Sequence, residues 1–169
     1  LRPERSRLIT RRDSLSVVLD GLAAAREAGL WPIKTNTVVV RGLNDDEVLD
    51  FARLTLTRDW HVRFIEIMPI GKSTIWSGNG YVSSAEMRNW IEKELTKLTP
   101  FKLKSGCGPA RYYRLPDALG TIGFISPISQ HFCYRCNRLR LTADGRLRPC
   151  LLSDYELDLR TPLREGAVS

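Results

Sequence analysis

The order in which hydrophobic periods change along the first seventy residues constrains the fold of this chain most strongly. Leu15, Val18, Leu19 and Leu22 recur at i, i+3, i+4 and i+7 behind Asp13-Ser14, a pair able to cap. That spacing predicts an amphipathic helix over 14–28, stopped at Gly29. Beyond Pro32, Ile33 to Val40 reads as a strand ending at Gly42, and Asn44 with Glu47 three residues later predicts a capping box opening a helix through about Thr55. A second β-rich run, Val62 to Met68, follows. Helix, strand, helix and strand on short connections point to parallel α/β architecture, either a barrel or a doubly wound sheet.

After Pro69 the pattern changes. Gly71 to Gly80 is a loop rich in Gly and Ser, and Ser84 to Leu98 predicts a helix with Met87, Ile91, Leu95 and Leu98 on one face. Short β runs then follow at Phe101–Lys104, Arg111–Leu115 and Ile122–Ser126, and Arg138 to Leu151 has hairpin form around Asp144-Gly145. The expected organisation is an α/β region over 1–70 and a mostly β region over 71–169. Thr161-Pro162 reads as a helix N-cap and first helical residue close to the last residue, and position 1 is Leu, so the chain reads as a fragment.

The chain has 169 residues, 43% hydrophobic and 27% charged, which excludes disorder and collagen-like repeats. No apolar stretch approaches the roughly 20 residues of a membrane-spanning helix, so a soluble chain is expected. Lys and Arg number 26 against 19 acidic residues, a formal charge of +7 that fits a phosphate-bearing partner. The basic residues are scattered and dense only between Arg135 and Arg148, so a nucleotide is as good a candidate as RNA or DNA.

Gly71-Lys72-Ser73 is not a phosphate loop: Glu66 stands where the motif needs its first glycine, and loop rather than helix follows Ser73. Lys34 and Arg63 each interrupt an otherwise neutral strand. Each either snorkels or pairs with a carboxylate such as Glu66, or the two point together into a cavity from one end of adjacent parallel strands and hold an anion. Met68, five residues beyond Arg63, falls about 16 Å along, at the opposite end, where packing is its default role.

The strongest chemical signal is Cys133, Cys136 and Cys150, spaced C-x2-C-x13-C, with Cys107 upstream. A two-residue turn at Asp144-Gly145 would pair 143 with 146, 141 with 148 and 139 with 150, returning Cys150 to the neighbourhood of Cys136 so that three thiolates converge. Such a group favours a metal or redox site over a structural disulfide. Spacing alone favours zinc, with His131 or Cys107 as a fourth ligand, over a 4Fe-4S cube held by three cysteines with one iron open. Arg138 and Arg140, two apart in a strand, share one face beside the cysteines, an arrangement suited to a phosphate ester. Arg135, Arg146 and Arg148 crowd the same hairpin and would repel one another without an anion.

The segment Phe132-Cys133-Tyr134-Arg135-Cys136-Asn137-Arg138-Leu139-Arg140-Leu141-Thr142-Ala143-Asp144-Gly145, completed by Cys150, resembles the C-terminal cluster motif of the GTP 3′,8-cyclase (molybdenum cofactor biosynthesis protein A) family of radical S-adenosylmethionine enzymes. Ile33 to Val39, Phe64 to Pro69 and Gly108 to Tyr113 also resemble family segments, in the same order. The resemblance implies that residues 1–70 are the C-terminal part of a partial (β/α) barrel of the radical SAM type, and that 71–169 carry the 4Fe-4S hairpin of molybdenum cofactor synthesis. Carried over by position, Cys133, Cys136 and Cys150 would ligate the cluster, Lys34, Arg63, Arg138 and Arg140 would hold GTP, and Met68 would touch S-adenosylmethionine. Cys107 receives no role.

In such an enzyme a 5′-deoxyadenosyl radical takes a hydrogen from the ribose of GTP, and the sugar radical attacks the guanine ring. The resemblance further implies a second, N-terminal cluster in the whole protein, a cytoplasmic homodimer, and no nucleic-acid or membrane partner. The family's C-x3-C-x2-C loop and its tail ending in two glycines do not occur in this sequence, so the chain alone is expected to be inactive. A zinc-stabilised nucleic-acid-binding module is the competing class, motivated by the +7 charge and the arginine-lined hairpin.

Overall fold

The computed structural model describes residues 1–69, 80–103 and 108–166. The expectations for Gly71-Lys72-Ser73, for the loop over 71–79 and for Cys107 lie outside them. The chain forms two compact units, Leu1–Phe132 and Cys133–Ser169.

The first unit opens with helices α1 (Pro3–Thr10) and α2 (Leu15–Glu27), the latter where the 3.6-residue period puts it. Gly29, at φ +73°, accounts for its end, because a left-handed residue there lets the next amides close back on the last turn. No residue of α2 is buried, and Val18 and Leu19 of its apolar stripe are exposed. Then come β1 (Lys34–Val39), a 3-10 turn (Asp45–Glu47), α3 (Val48–Thr57), β2 (His61–Glu66), α4 (Ser84–Glu94), β3 (Thr99–Pro100), β4 (Arg111–Arg114) and β5 (Thr121–Ile125). They build a mixed α/β unit on one five-stranded sheet of order β1-β2-β5-β4-β3, with β1, β2 and β5 parallel and β4 and β3 antiparallel. The sheet thus runs past residue 70: β5 joins β2 in parallel, which is why the compact unit extends to Phe132.

The Asn44–Glu47 capping box does not form. The Asn44 amide accepts from Val40 N–H at 2.8 Å and donates to the Val38 carbonyl at 2.9 Å, tying the strand end to its turn, while the Glu47 carboxylate accepts from Arg2 N–H. The box is found instead at Ser83 and Glu86, where each side chain accepts from the other's backbone N–H, at 3.2 and 3.0 Å. α4 stops at Glu94 rather than Leu98, since the Glu92 carboxylate takes Leu98 N–H at 3.0 Å and turns the chain. The strand expected from Phe101 begins two residues earlier, at Thr99–Pro100, and Phe101 adds a single N–H bond to the Tyr112 carbonyl.

One face of the sheet supplies Val39, Val62, Phe64, Ile122 and Phe124 to the core, covered by Val48 and Ala52 of α3 and Met87 and Ile91 of α4. Period 2 sends the alternate residues to the other, open face. Gly120 brings β5 beside β2: its N–H donates to the Thr55 carbonyl, and a Cβ built on it would lie 2.4 Å from the Trp60 carbonyl oxygen and 2.6 Å from that of Arg58. Both neighbours are backbone and cannot swing away. Gly120→Ala is therefore expected to destabilise the protein by about 2 kcal/mol, read as a lower urea midpoint.

The second unit begins with a 3-10 turn (Cys133–Arg135), followed by β6 (Arg140–Leu141), β7 (Arg146–Arg148), β8 (Leu157–Asp158) and α5 (Arg160–Arg164). The expected hairpin exists, shifted by one register. Arg140 faces Arg148 and Leu141 faces Leu147, because the connection is the three residues Ala143, Asp144 and Gly145 rather than two. Gly145 N–H donates to the Thr142 carbonyl and Thr142 N–H to the Arg146 carbonyl, with Gly145 at φ +84°, the signature of a turn ending in a left-handed bulge. Thr161 lies inside α5 rather than at its cap, which is Leu159, and the Asp158 carboxylate accepts from Arg160 and Thr161 N–H at 3.0 and 3.1 Å.

Candidate functional site

On the open face of the first unit, strand register lines polar side chains into two transverse rows. Lys34 pairs with His61, which pairs with Thr121; Asn36 pairs with Arg63, which pairs with Gly123 and, beyond it, Tyr112. Lys34 and Arg63 therefore share one face of adjacent parallel strands, with Lys34 at the N-terminal end and Arg63 two residues further in. Met68 is half-buried, two residues past the C-terminal end of β2. The suggested ion pair between Arg63 and Glu66 is not made, because the two residues have opposite parity in β2. Glu66 points into the core, where its carboxylate accepts from the backbone N–H groups of Ser84 (2.8 Å), Ile128 (3.1 Å) and Ser129 (2.9 Å) and from the Ser129 hydroxyl.

Arg63 keeps a buried Nε with no hydrogen-bond partner among the described residues. A buried donor left unpaired is costly, and an anionic ligand would satisfy it. Gly123 gives that guanidinium its bed: a Cβ there would meet Arg63 Cγ at 3.1 Å and the Tyr112 ring at 3.0 Å. His61 Nδ1 lies 2.6 Å from Thr121 Oγ1, and its ring stands edge-on to Tyr112, centroids 5.7 Å apart. Burial first, then the charges of Lys34, Arg63 and Arg114, hold the His61 pKa below the ordinary histidine value, so the ring is neutral at pH 7.

In the second unit Cys133, Cys136 and Cys150 are free, exposed thiols. Cys133 and Cys136 bracket the 3-10 turn, which Cys136 N–H closes on the Cys133 carbonyl at 3.0 Å. Among the described residues no three Cys, His, Asp or Glu side chains are gathered into a metal-holding group. The expected convergence through the hairpin fails for a geometric reason: pairing starts only at Arg140, one register off, so residues 136–139 and 149–151 are not zipped together. Arg138 precedes the paired strand and is exposed, while Arg140 lies within it, half-buried. The crowded arginines are partly neutralised, since Arg146 meets Asp144 at 3.2 Å and Arg148 Nε donates to Glu156 at 2.9 Å.

Residues 60–169 match the family Molybdenum Cofactor Synthesis C. The chain belongs to that family. Relatives from Pelotomaculum thermopropionicum and Heliobacterium modesticaldum are each 54% identical over 167 residues, and one from Moorella thermoacetica is 52% identical. Each alignment takes in 99% of this chain and 51% of the relative, and all three relatives are named GTP 3′,8-cyclase. The chain spans about half the length of the curated relatives it matches. The nucleic-acid module is not favoured beside them.

Cys133, Cys136 and Cys150 are free, exposed thiols, donors of the chemical type that ligates iron–sulfur groups. Sequence patterning located Lys34 and Arg63 because charge stands out in a strand. It passed over His61, Tyr112, Arg114 and Gly123, whose signal is alternation read across four strands in register and is available only once the pairing is known. Among the described residues no helix is long and apolar enough to cross a membrane.

Proposed function

We propose that this chain is the C-terminal half of a GTP 3′,8-cyclase, in which the open sheet face is the inner wall of a partial radical SAM barrel. The observation that carries the reading is the pair Lys34 and Arg63, register-aligned on one face, with the buried Arg63 Nε awaiting an acceptor. An anion of nucleotide size satisfies both. Arg138 and Arg140 supply further guanidiniums to the nucleotide, and their planar forks suit phosphate oxygens. Met68, two residues past the C-terminal end of β2, would touch S-adenosylmethionine, while Arg63 lies nearer the other end of that strand.

Cys133, Cys136 and Cys150 would hold the C-terminal 4Fe-4S cluster, drawn together as the metal binds, since ligand and fold order one another. When bound, that cluster supplies an open iron to the guanine, and the N-terminal one the electron that splits S-adenosylmethionine. The protein's own work is placement: Lys34 and Arg63 fix the phosphates, the neutral His61 adds no further charge beside them, and the walls exclude water from a reactive radical.

The test is conversion of GTP by the full-length protein with S-adenosylmethionine and a reductant. The wild type is expected to yield the 3′,8-cyclised nucleotide with 5′-deoxyadenosine, and Arg63→Gln to raise the KM for GTP by about tenfold or more. Unchanged KM in Arg63→Gln, or 5′-deoxyadenosine formed without any dependence on GTP structure, would contradict the reading.

A further inference from the structure

A third cation stands on the open face. Arg114 closes β4, and its neighbour Tyr113 pairs with Ile122 of β5, so the register carries Arg114 to the level of Thr121 and completes the row Lys34, His61, Thr121. The alternation that turns Tyr113 inward onto Phe124, ring centroids 5.8 Å apart, turns Arg114 outward with Tyr112. Its guanidinium lies 3.8 Å over the Phe101 ring, which fixes its plane. Its Nε is buried and has no hydrogen-bond partner among the described residues.

Three cations on β1, β2 and β4 span about 14 Å at roughly 4.8 Å per strand. Among the described residues none of Lys34, Arg63 and Arg114 forms an ion pair with a carboxylate. All three charges are felt at His61, opposed there by Asp59. Like charges gathered on a wall with two orphaned guanidinium nitrogens are stable when a polyanion lies across them. A single phosphate is too small to meet cations spread over three strand spacings. A polyphosphate chain is not.

We propose that Arg114 is a further phosphate-binding residue of the nucleotide site, so that the Lys34–His61–Thr121–Arg114 row seats the triphosphate. This rests on the GTP reading above. It makes the polyphosphate, rather than the guanine or the ribose, the part of the ligand that this sheet face recognises.

The experiment is equilibrium binding of GTP and of guanosine to the anaerobic full-length protein, as wild type, Arg63→Gln, Arg114→Gln and Arg114→Lys. Arg114→Gln is expected to weaken GTP about tenfold and to leave guanosine unchanged, while Arg114→Lys, which keeps the charge, restores most of the loss. A merely structural Arg114, stacked on Phe101 to hold β4, would lower GTP and guanosine alike, and that result overturns the proposal. So does wild-type GTP affinity in Arg114→Gln when Arg63→Gln is impaired. If the wild type binds GTP no more tightly than guanosine and Arg63→Gln is silent, the nucleotide reading itself fails and Arg114's role falls with it.

Discussion

Replacing Cys136 with alanine in the full-length protein is expected to remove about four irons and their sulfide from the anaerobically reconstituted enzyme, and to take GTP conversion to the detection limit. With only Cys133, Cys136 and Cys150 in the proposed ligand set, each thiolate would hold one iron, and none would be redundant. The thiols are free and exposed, and the turn that carries Cys133 and Cys136 is closed by one backbone hydrogen bond, so the site has little structure of its own to retain a cluster short of a ligand. The N-terminal cluster implied for the whole protein lies outside this chain, so 5′-deoxyadenosine should still form in the variant, uncoupled from GTP. Full iron content in Cys136→Ala would contradict the assignment.

Glu66→Ala is expected to cost about 3 kcal/mol or more of stability. The carboxylate is fully buried and accepts from three backbone N–H groups and one hydroxyl. These join the start of α4 and the turn after β5 to the end of β2, two residues before Met68. Alanine would leave those donors unpaired in a dry site. The pH dependence follows with a definite sign. Burial alone would raise the Glu66 pKa, but the hydrogen bonds from Ser129, Ser84 and Ile128 outweigh it and hold the value below the ordinary 4.5. A carboxylate with a depressed folded-state pKa contributes stability that is fully present above its unfolded value and is lost as pH falls through the folded one. The metal-free protein should therefore lose urea resistance below about pH 4.5, and Glu66→Gln should flatten that part of the profile. An unchanged profile in Glu66→Gln would show that other carboxylates carry the acid sensitivity.

The architecture was legible where period and punctuation coincide. The strands at Lys34 and His61 fall within two residues of their expected bounds, and Met87 and Ile91 form the buried face of α4 although that helix ends four residues early, because burial and periodicity point the same way there. The Asn44–Glu47 box was misread because capping chemistry is local, whereas the Asn44 amide is engaged by the backbone of the preceding strand. The hairpin was misregistered by one residue because Asp-Gly serves both two- and three-residue connections, and only the Thr142 and Gly145 hydrogen bonds decide between them. In the site, Lys34 and Arg63 announced themselves as charges in neutral strands. Gly123, Tyr112 and Arg114 did not, since a small residue beneath a guanidinium or a cation at a strand end has no sequence signature apart from its partners.

In the reading proposed above, the nucleotide held by Lys34 and Arg63 would also be a ligand of the Cys133, Cys136 and Cys150 cluster. The most direct test is to titrate GTP into the anaerobically reconstituted, reduced full-length protein while following the electron paramagnetic resonance of its clusters. GTP is expected to change the signal of the cluster assigned to Cys133, Cys136 and Cys150, Cys136→Ala to abolish the change, and Arg63→Gln to shift it to higher GTP concentration. A signal indifferent to saturating GTP in a protein that nonetheless binds GTP through Arg63 would contradict that reading, separating the cysteine hairpin from the nucleotide site.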